Sequence, residues 1–258
     1  MSSWVAFSPL APLDPHEVRG HWARLHGGDA EPLPGTSELL HAWTLFHRGE
    51  FEQAHQTGLS LAEHGESAGL TVAVRALSVY ATYLEPRAQQ RERLLEQAQA
   101  LAARHTEAHP DNPNAWYLLA YSLGRHAQSL SVAKSLALGL GQRTRSALER
   151  TLSLNPDHAD AHLALATFNA EVIDKVGEVV GAVTYGASKS TALALYDRAA
   201  VLNPGSLVGM LETARGLMML DPDHQQARAE RLYQQLRVAR TLDALEALVV
   251  GLAHATDD

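Results

Sequence analysis

Few residues have the types and spacing that catalysis needs, and each such group lacks part of its motif. Ser131 and Lys134 form the S-x-x-K spacing of penicillin-recognising enzymes, but the accompanying S-D-N and K-T-G elements are missing. Gly139 and Gly141 lack the third glycine and the preceding strand of a dinucleotide-binding loop. We therefore interpret both matches as chance.

Fourteen histidines raise the question of a metal site. His105 with His109, and His158 with His162, are spaced i, i+4, which places two imidazoles on one face of a helix. Neither pair has the glutamate of the H-E-x-x-H motif, and the absence of cysteine excludes thiolate ligands. We expect no metal site and no cofactor.

Glu171, Asp174 and Lys175 would form an acid–base cluster if they were buried together. Glu171 and Lys175 are also an ordinary i, i+4 ion pair of a helix, and we favour that interpretation. No other set of residues indicates a reaction. We expect a protein that is not an enzyme.

The bulk composition narrows the possible partners and locations. A formal net charge of −8 argues against a nucleic-acid-binding surface. No window approaches 18 uninterrupted apolar residues, so no transmembrane helix is predicted, although peripheral membrane contact is compatible with the sequence. The N-terminus lacks the basic region of a signal peptide. We expect a cytoplasmic protein.

Small and large apolar residues recur at the spacing of paired helices. In residues 39–61, Ala42, Leu45, Gly49 and Phe51 fall at positions 8, 11, 15 and 17 of the 34-residue tetratricopeptide pattern. Similar patterns predict hairpins over 67–108, 116–156, 162–204 and from 210 onward, with a last helix near 242–255. The sequence therefore predicts an all-α fold, a tetratricopeptide-like right-handed α-solenoid of about four to five hairpins.

The chain before these hairpins is predicted to contain one short helix. Asp14 and Pro15 are a favourable N-cap and first residue for a helix that ends near Leu25. Residues 27–35, with Pro32 and Pro34, have the composition of a linker. We thus divide the chain into an N-terminal segment, 1–35, and a repeat domain, 36–258.

The third and fourth hairpins are longer than the pattern requires. Trp116 to His162 is 46 residues and His162 to Met210 is 48, where about 34 would suffice. The surplus lies in residues 124–140 and 170–186, which we expect to lengthen both helices of each hairpin by about 10 Å. The two apolar tips either pack on each other, or leave a cleft for an apolar ligand or a partner helix.

The same two hairpins carry opposite net charges. Residues 121–150 carry a net charge of +4, and residues 151–185 carry −4. The simplest interpretation is that the hairpins attract each other, although such exposed pairs contribute little stability. Alternatively, the basic hairpin faces an anionic headgroup or an acidic partner.

Residues 114–117, the long insert, Pro156, and residues 171–186 and 192–204 together resemble the tetratricopeptide-like domain of the regulator of microtubule dynamics family. The resemblance covers roughly residues 36–240. Eukaryotic members share the two lengthened hairpins, and in one of them the domain binds and transfers phospholipids at contacts between the endoplasmic reticulum and mitochondria. The resemblance implies a bacterial member of this fold and a lipid-like ligand, although this sequence lacks the membrane anchor. A more distant likeness is to the helical T component of tripartite periplasmic transporters.

The resulting hypothesis is a non-enzymatic module that holds an amphipathic or lipid-like ligand between the two lengthened hairpins. In it, aromatic residues and Val172 line the cavity, Arg125 and Lys134 face an anionic group, and Asn169 orients that group. The alternative is a protein–protein interaction scaffold that binds a peptide or helix on its concave face. The candidate ligand-binding residues are Trp116, Tyr117, Tyr121, Arg125, Lys134, Phe168, Asn169, Val172 and Tyr185.

Overall fold

The computed structural model describes residues 4–7 and 13–255; expectations for the remaining terminal residues lie outside this part of the chain. The described part contains fifteen α-helices and no strand, so the all-α prediction is confirmed. The helices are α1 (Pro15–Gly20), α2 (Trp22–Leu25), α3 (Ser37–His47), α4 (Phe51–Glu63), α5 (Gly69–Tyr83), α6 (Ala88–Ala108), α7 (Pro113–Ser129), α8 (Val132–Ala137), α9 (Leu140–Leu154), α10 (Ala159–Val176), α11 (Glu178–Tyr185), α12 (Lys189–Leu202), α13 (Leu207–Leu220), α14 (Pro222–Arg237) and α15 (Ala244–His254). None of the helices in the described residues is long and apolar enough to cross a membrane.

The helices pack as successive pairs along the chain. The pairs are α3 with α4, α5 with α6, α7 with α9, α10 with α12, and α13 with α14. The first helices of neighbouring pairs also contact one another, from α3 through α5, α7 and α10 to α13. These first helices therefore form one inner layer, and α15 contacts both α13 and α3.

Local signals at the helix starts explain why several predicted boundaries agree with the structure. The one helix predicted from Pro15 to near Leu25 is instead divided into α1 and α2. Asp14 and Glu17 form a capping box at α1, where each side chain accepts a hydrogen bond from the other residue's backbone N–H. Asn112 accepts hydrogen bonds from the first backbone N–H groups of α7, and Asp243 caps α15 in the same way. Each cap satisfies N–H groups that have no partner within the helix.

Small residues let neighbouring helices approach closely, most clearly at the contact between α4 and α5. A Cβ added at Gly58 would lie 2.5 Å from the carbonyl oxygen of Gly69, so the two backbones touch. We expect Gly58→Ala to lower the free energy of unfolding by about 1–3 kcal/mol, because an extra methyl group forces the helices apart. Urea denaturation measures this effect.

Gly251 provides the matched control for that substitution. It also lies within a helix, but a Cβ there would have no neighbour within 4 Å. Gly251→Ala should raise the free energy of unfolding by up to about 1 kcal/mol, through helix propensity alone. Equal effects of the two substitutions would contradict the close approach of α4 and α5.

The inserted residues do not lengthen both helices of each hairpin, so that prediction is wrong. The first helices are long, with 17 residues in α7 and 18 in α10, whereas α9 and α12 have only 15 and 14. The rest of each insert folds as a separate short helix, α8 or α11, at the tip. Gly139 and Gly177, both at positive φ, mark where α9 and α11 begin.

The segment predicted as a linker lies instead against the inner layer. The side chains of His26, Asp29 and Glu31 are buried. The carbonyl oxygen of Gly28 accepts a hydrogen bond of 3.0 Å from the backbone N–H of Asp160 at the start of α10. Residues 26–34 therefore occupy part of the surface that the first helices would otherwise present to a partner.

Candidate functional site

A cavity of about 140 Å³ lies between the two hairpins that carry the inserts. We call it the tip cavity; its walls come from α7, α8, α9, α10, α11 and α13. Most of the wall side chains are apolar or small, and the charged ones are Arg125, Asp160, Glu171, Lys175 and Glu212. Six of the nine predicted ligand-binding residues line it, namely Tyr117, Tyr121, Arg125, Phe168, Val172 and Tyr185.

Helical periodicity places most of these residues on the cavity. Tyr117, Tyr121 and Arg125 are four residues apart on α7, and Phe168 and Val172 are four apart on α10, so each set shares one helix face. Tyr185, at the end of α11, meets the Phe168 ring edge-on with the centroids 6.0 Å apart. The short helix α11 is thus what brings a second aromatic wall to the cavity.

Trp116 and Asn169 were predicted to contact the ligand, but neither lines the tip cavity. The Trp116 indole points away and donates a 2.8 Å hydrogen bond to the Pro110 carbonyl oxygen. The Asn169 amide is buried; it donates to the carbonyl oxygen of Leu165 and accepts from the backbone N–H of Ser188. Its role is to fix the start of α12 beside α10.

The two cations predicted to face an anionic group already have carboxylate partners. Arg125 lines the cavity but pairs with Glu212 on α13 at 2.8 Å, and its guanidinium lies over the Tyr121 ring. Burial alone would lower the pKa of Arg125, but the Glu212 carboxylate raises it, so the pair is ionised. Lys134 lies outside the cavity and pairs with Glu92 on α6. An anionic ligand would therefore compete with these carboxylates for both cations, and the anion-binding role stays a prediction.

Some polar groups on the tip cavity remain able to bind a ligand. Glu171 and Lys175 form the expected i, i+4 pair at 3.7 Å, and burial raises the pKa of Glu171. The Thr144 hydroxyl is buried and has no hydrogen-bond partner among the described residues. An unpaired buried hydroxyl is unfavourable, so a ligand that forms a hydrogen bond with Thr144 would be stabilised by it.

A second cavity of about 360 Å³, the inner cavity, adjoins the first on the side of the inner layer. Tyr117, Tyr121, Asp160 and Val208 line both spaces, so they form the boundary between them. The inner cavity is the more polar of the two spaces, although charged side chains line both. Four charged side chains line the inner cavity alone. These are Arg24, Arg75, Asp243 and Glu246.

Comparisons with known proteins assign no family to the chain. No family model matches it, and no curated protein matches it. The arrangement of side chains around the two cavities therefore carries the functional argument.

Buried charges beside the inner cavity form one connected network. Arg75 on α5 pairs with Asp29 of the N-terminal segment, and its other nitrogen lies 4.0 Å from Asp160. Burial and the charge of Asp29 raise the pKa of Asp160 to about 6. No hydrogen bond to the Asp160 carboxylate occurs within the described residues, so this group remains available to a ligand on the cavity wall.

The network continues through two histidines. Asp29 binds Nδ1 of His26, the Nε2 atoms of His26 and His47 lie 3.3 Å apart, and Nδ1 of His47 lies 2.8 Å from Asp243. This chain of groups joins the N-terminal segment, α3 and the start of α15. The sequence did not predict this network, although one signal was present: Arg75 is the one charged residue of α5.

Proposed function

We propose that the protein is a non-enzymatic binding module for an amphipathic, lipid-like ligand with a single apolar chain. The apolar chain occupies the tip cavity, and the polar end lies in the inner cavity. One observation carries the proposal: a mainly apolar cavity and a more polar cavity adjoin through a shared boundary of two tyrosines, Asp160 and Val208. Such a pair of spaces suits a molecule with one apolar and one polar end.

The sizes of the two spaces limit the ligand. A cavity of about 150 Å³ admits a benzene-sized apolar group. The tip cavity, at about 140 Å³, thus suits one slender chain and is too small for both chains of a phospholipid. The inner cavity, at about 360 Å³, has the volume of a small polar-ligand site.

The charges around the inner cavity limit the polar end. Arg24 pairs with Glu246 at 2.9 Å, and Arg75 pairs with Asp29, so both cations are neutralised within the protein. The Asp160 carboxyl, by contrast, has no hydrogen-bond donor of its own. A hydroxyl or an ammonium group on the ligand supplies such a donor, whereas a carboxylate would be repelled by Asp160, which Arg75 approaches only to 4.0 Å. This assignment replaces the anionic group expected from the sequence.

We also propose that the helix pairs form the tetratricopeptide-like right-handed α-solenoid of the regulator of microtubule dynamics family, acting in the cytoplasm. The succession of contacting pairs supports this arrangement, as do the two matched inserts at the third and fourth pairs.

The ligand proposal is tested by calorimetric titration with decanol, decylamine and decanoate, which share one chain and differ in the polar end. We expect decanol and decylamine to bind, and decanoate to bind at least about tenfold more weakly, a difference of about 1.4 kcal/mol. Absence of binding by all three would refute the proposal. Tightest binding of decanoate would refute the assignment of the polar end.

A cavity-filling variant separates binding from folding. Gly124 lines the tip cavity, and a Cβ there would lie at an ordinary 3.7 Å from Thr144, so Gly124→Leu fills the space without a backbone clash. The variant should remain folded, since leucine favours helix more than glycine does, yet lose binding. Gly251→Leu, on an exposed helix face, should bind as the wild type does.

A protein partner is the second candidate, favoured by apolar side chains exposed on α8 and α11. Leu136 and Val183 are 58% and 85% exposed, and Val132 both is exposed and lines the tip cavity. A partner helix would cover these side chains and insert one apolar residue into the cavity. A stoichiometric partner in a pull-down, lost with Val183→Asp while decylamine binding persists, would favour this function.

A further inference from the structure

Two glutamates and a histidine meet on the opposite side of α7 from the tip cavity. Glu92 and Glu96 are four residues apart on α6, and His126 faces them from α7. One possible ligand atom from each residue lies within 4.8 Å of the others. The sequence did not indicate this set, because the glutamates and the histidine lie on different helices.

His126 gives this cluster a property that an acidic patch alone lacks. Its side chain is only 3% exposed, and its Nε2 atom has no hydrogen-bond partner among the described residues. The nearest carboxylate oxygen, Oε1 of Glu92, is 3.9 Å away. An unpaired buried nitrogen is therefore directed at two carboxylates.

A neighbouring amide can set the tautomer of His126. The Gln99 side chain lies 2.8 Å from Nδ1, with its amide nitrogen nearest the ring. A half-turn of the amide exchanges donor for acceptor. The Gln99 oxygen then accepts from Nδ1–H and leaves the Nε2 lone pair facing the glutamates. Metal-binding histidines generally have such a partner on the second ring nitrogen.

We propose that Glu92, Glu96 and His126 bind a divalent transition-metal ion, with Zn²⁺ as the preferred ion. Two carboxylates and one imidazole suit Zn²⁺, and water completes four-coordination. Mn²⁺ should bind more weakly, and Ca²⁺, which takes oxygen ligands, should not compete. Modest side-chain movements bring the three ligand atoms to the coordination distance.

Lys134 connects the proposed metal site to the tip cavity. Its ammonium pairs with Glu92 and neutralises one of the two carboxylates of the cluster. A metal ion would displace it, and Lys134 belongs to α8, whose Val132 and Ser135 line the tip cavity. Metal binding would therefore loosen α8, which becomes measurable as faster hydrogen exchange in residues 131–138. This effect does not depend on the nature of the ligand in the tip cavity.

The test is calorimetric titration of the full chain with ZnCl₂ after dialysis against a chelator. Glu96→Gln changes an exposed side chain, so it should fold normally and weaken binding by about 10–100-fold. His126→Gln should weaken it at least as much. Glu107→Gln, an exposed glutamate at the far end of α6, is the matched control and should bind as the wild type does.

Lys134→Gln gives a prediction in the opposite direction. It removes the competing ammonium, so Zn²⁺ should bind more tightly than to the wild type. Failure of the wild type to bind Zn²⁺ would overturn the proposal. So would binding that Glu96→Gln and His126→Gln leave unchanged, because the ion would then occupy other histidines of the chain.

Discussion

Arg75→Met is expected to lower the free energy of unfolding by about 3–5 kcal/mol, since it leaves a buried carboxylate without its cation. Asp29 is only 2% exposed and pairs with Arg75. Burial alone would raise the pKa of Asp29, but Arg75 and His26 hold it below its ordinary range, so the carboxyl is ionised. Methionine retains the apolar length of the arginine but none of its charge. Urea denaturation at pH 7 measures the loss.

Two further variants make the cause of this loss identifiable. Arg24→Met breaks the pair with Glu246, in which the Arg24 side chain is 49% exposed, and should cost no more than about 1 kcal/mol. Asp29→Asn added to Arg75→Met removes the unpaired charge and should restore much of the stability. If Arg75→Met cost no more than Arg24→Met, the buried pair would not hold the N-terminal segment in place.

The helix pairs were predictable because their signals are local. Small residues that allow close packing, N-caps such as Asp14 and Asn112, and the glycines near the turns act within a few residues along the chain. The same periodicity predicted which faces of α7 and α10 line the tip cavity. Local patterns therefore gave both the elements and six of the nine proposed cavity residues.

The partners of the charged residues were not predictable, because they are far apart in sequence. Glu212, the partner of Arg125, lies 87 residues further along the chain, and Glu92 lies 42 residues before Lys134. Which carboxylate meets which cation depends on how the helix pairs stack. A lysine or arginine with no acidic residue near it in the sequence is thus weak evidence for an anionic ligand.

The N-terminal segment illustrates a different limit. Glycine and proline in residues 27–35 correctly indicate irregular structure, but composition does not say which surface a loop covers. Arg75 within apolar α5 indicates that some acid must reach it, without identifying Asp29. Only the folded chain brings the loop onto the inner layer, where it covers part of the surface that the peptide-scaffold alternative requires.

Glu31→Gln is expected to stabilise the protein, increasingly so as the pH rises. Glu31 is buried, and its carboxyl accepts a hydrogen bond from the Asn114 amide. Burial, and secondarily the charge of Asp29, raise its pKa from 4.5 to about 8. The folded state therefore holds a proton that the unfolded state loses above pH 4.5. The contribution of this proton to stability is complete below pH 4.5 and is lost as the pH rises toward 8.

Glutamine has the shape of the protonated acid and accepts the same hydrogen bond from Asn114, but it does not ionise. The variant and the wild type should thus be nearly equal in stability at pH 4, and the variant should be more stable by about 3–5 kcal/mol at pH 9. Urea denaturation across this range measures the difference, with Glu107→Gln as an exposed control whose effect stays small throughout. A difference that did not grow with pH would mean that Glu31 is ionised in the folded protein, and that the N-terminal segment lies less deeply against α7.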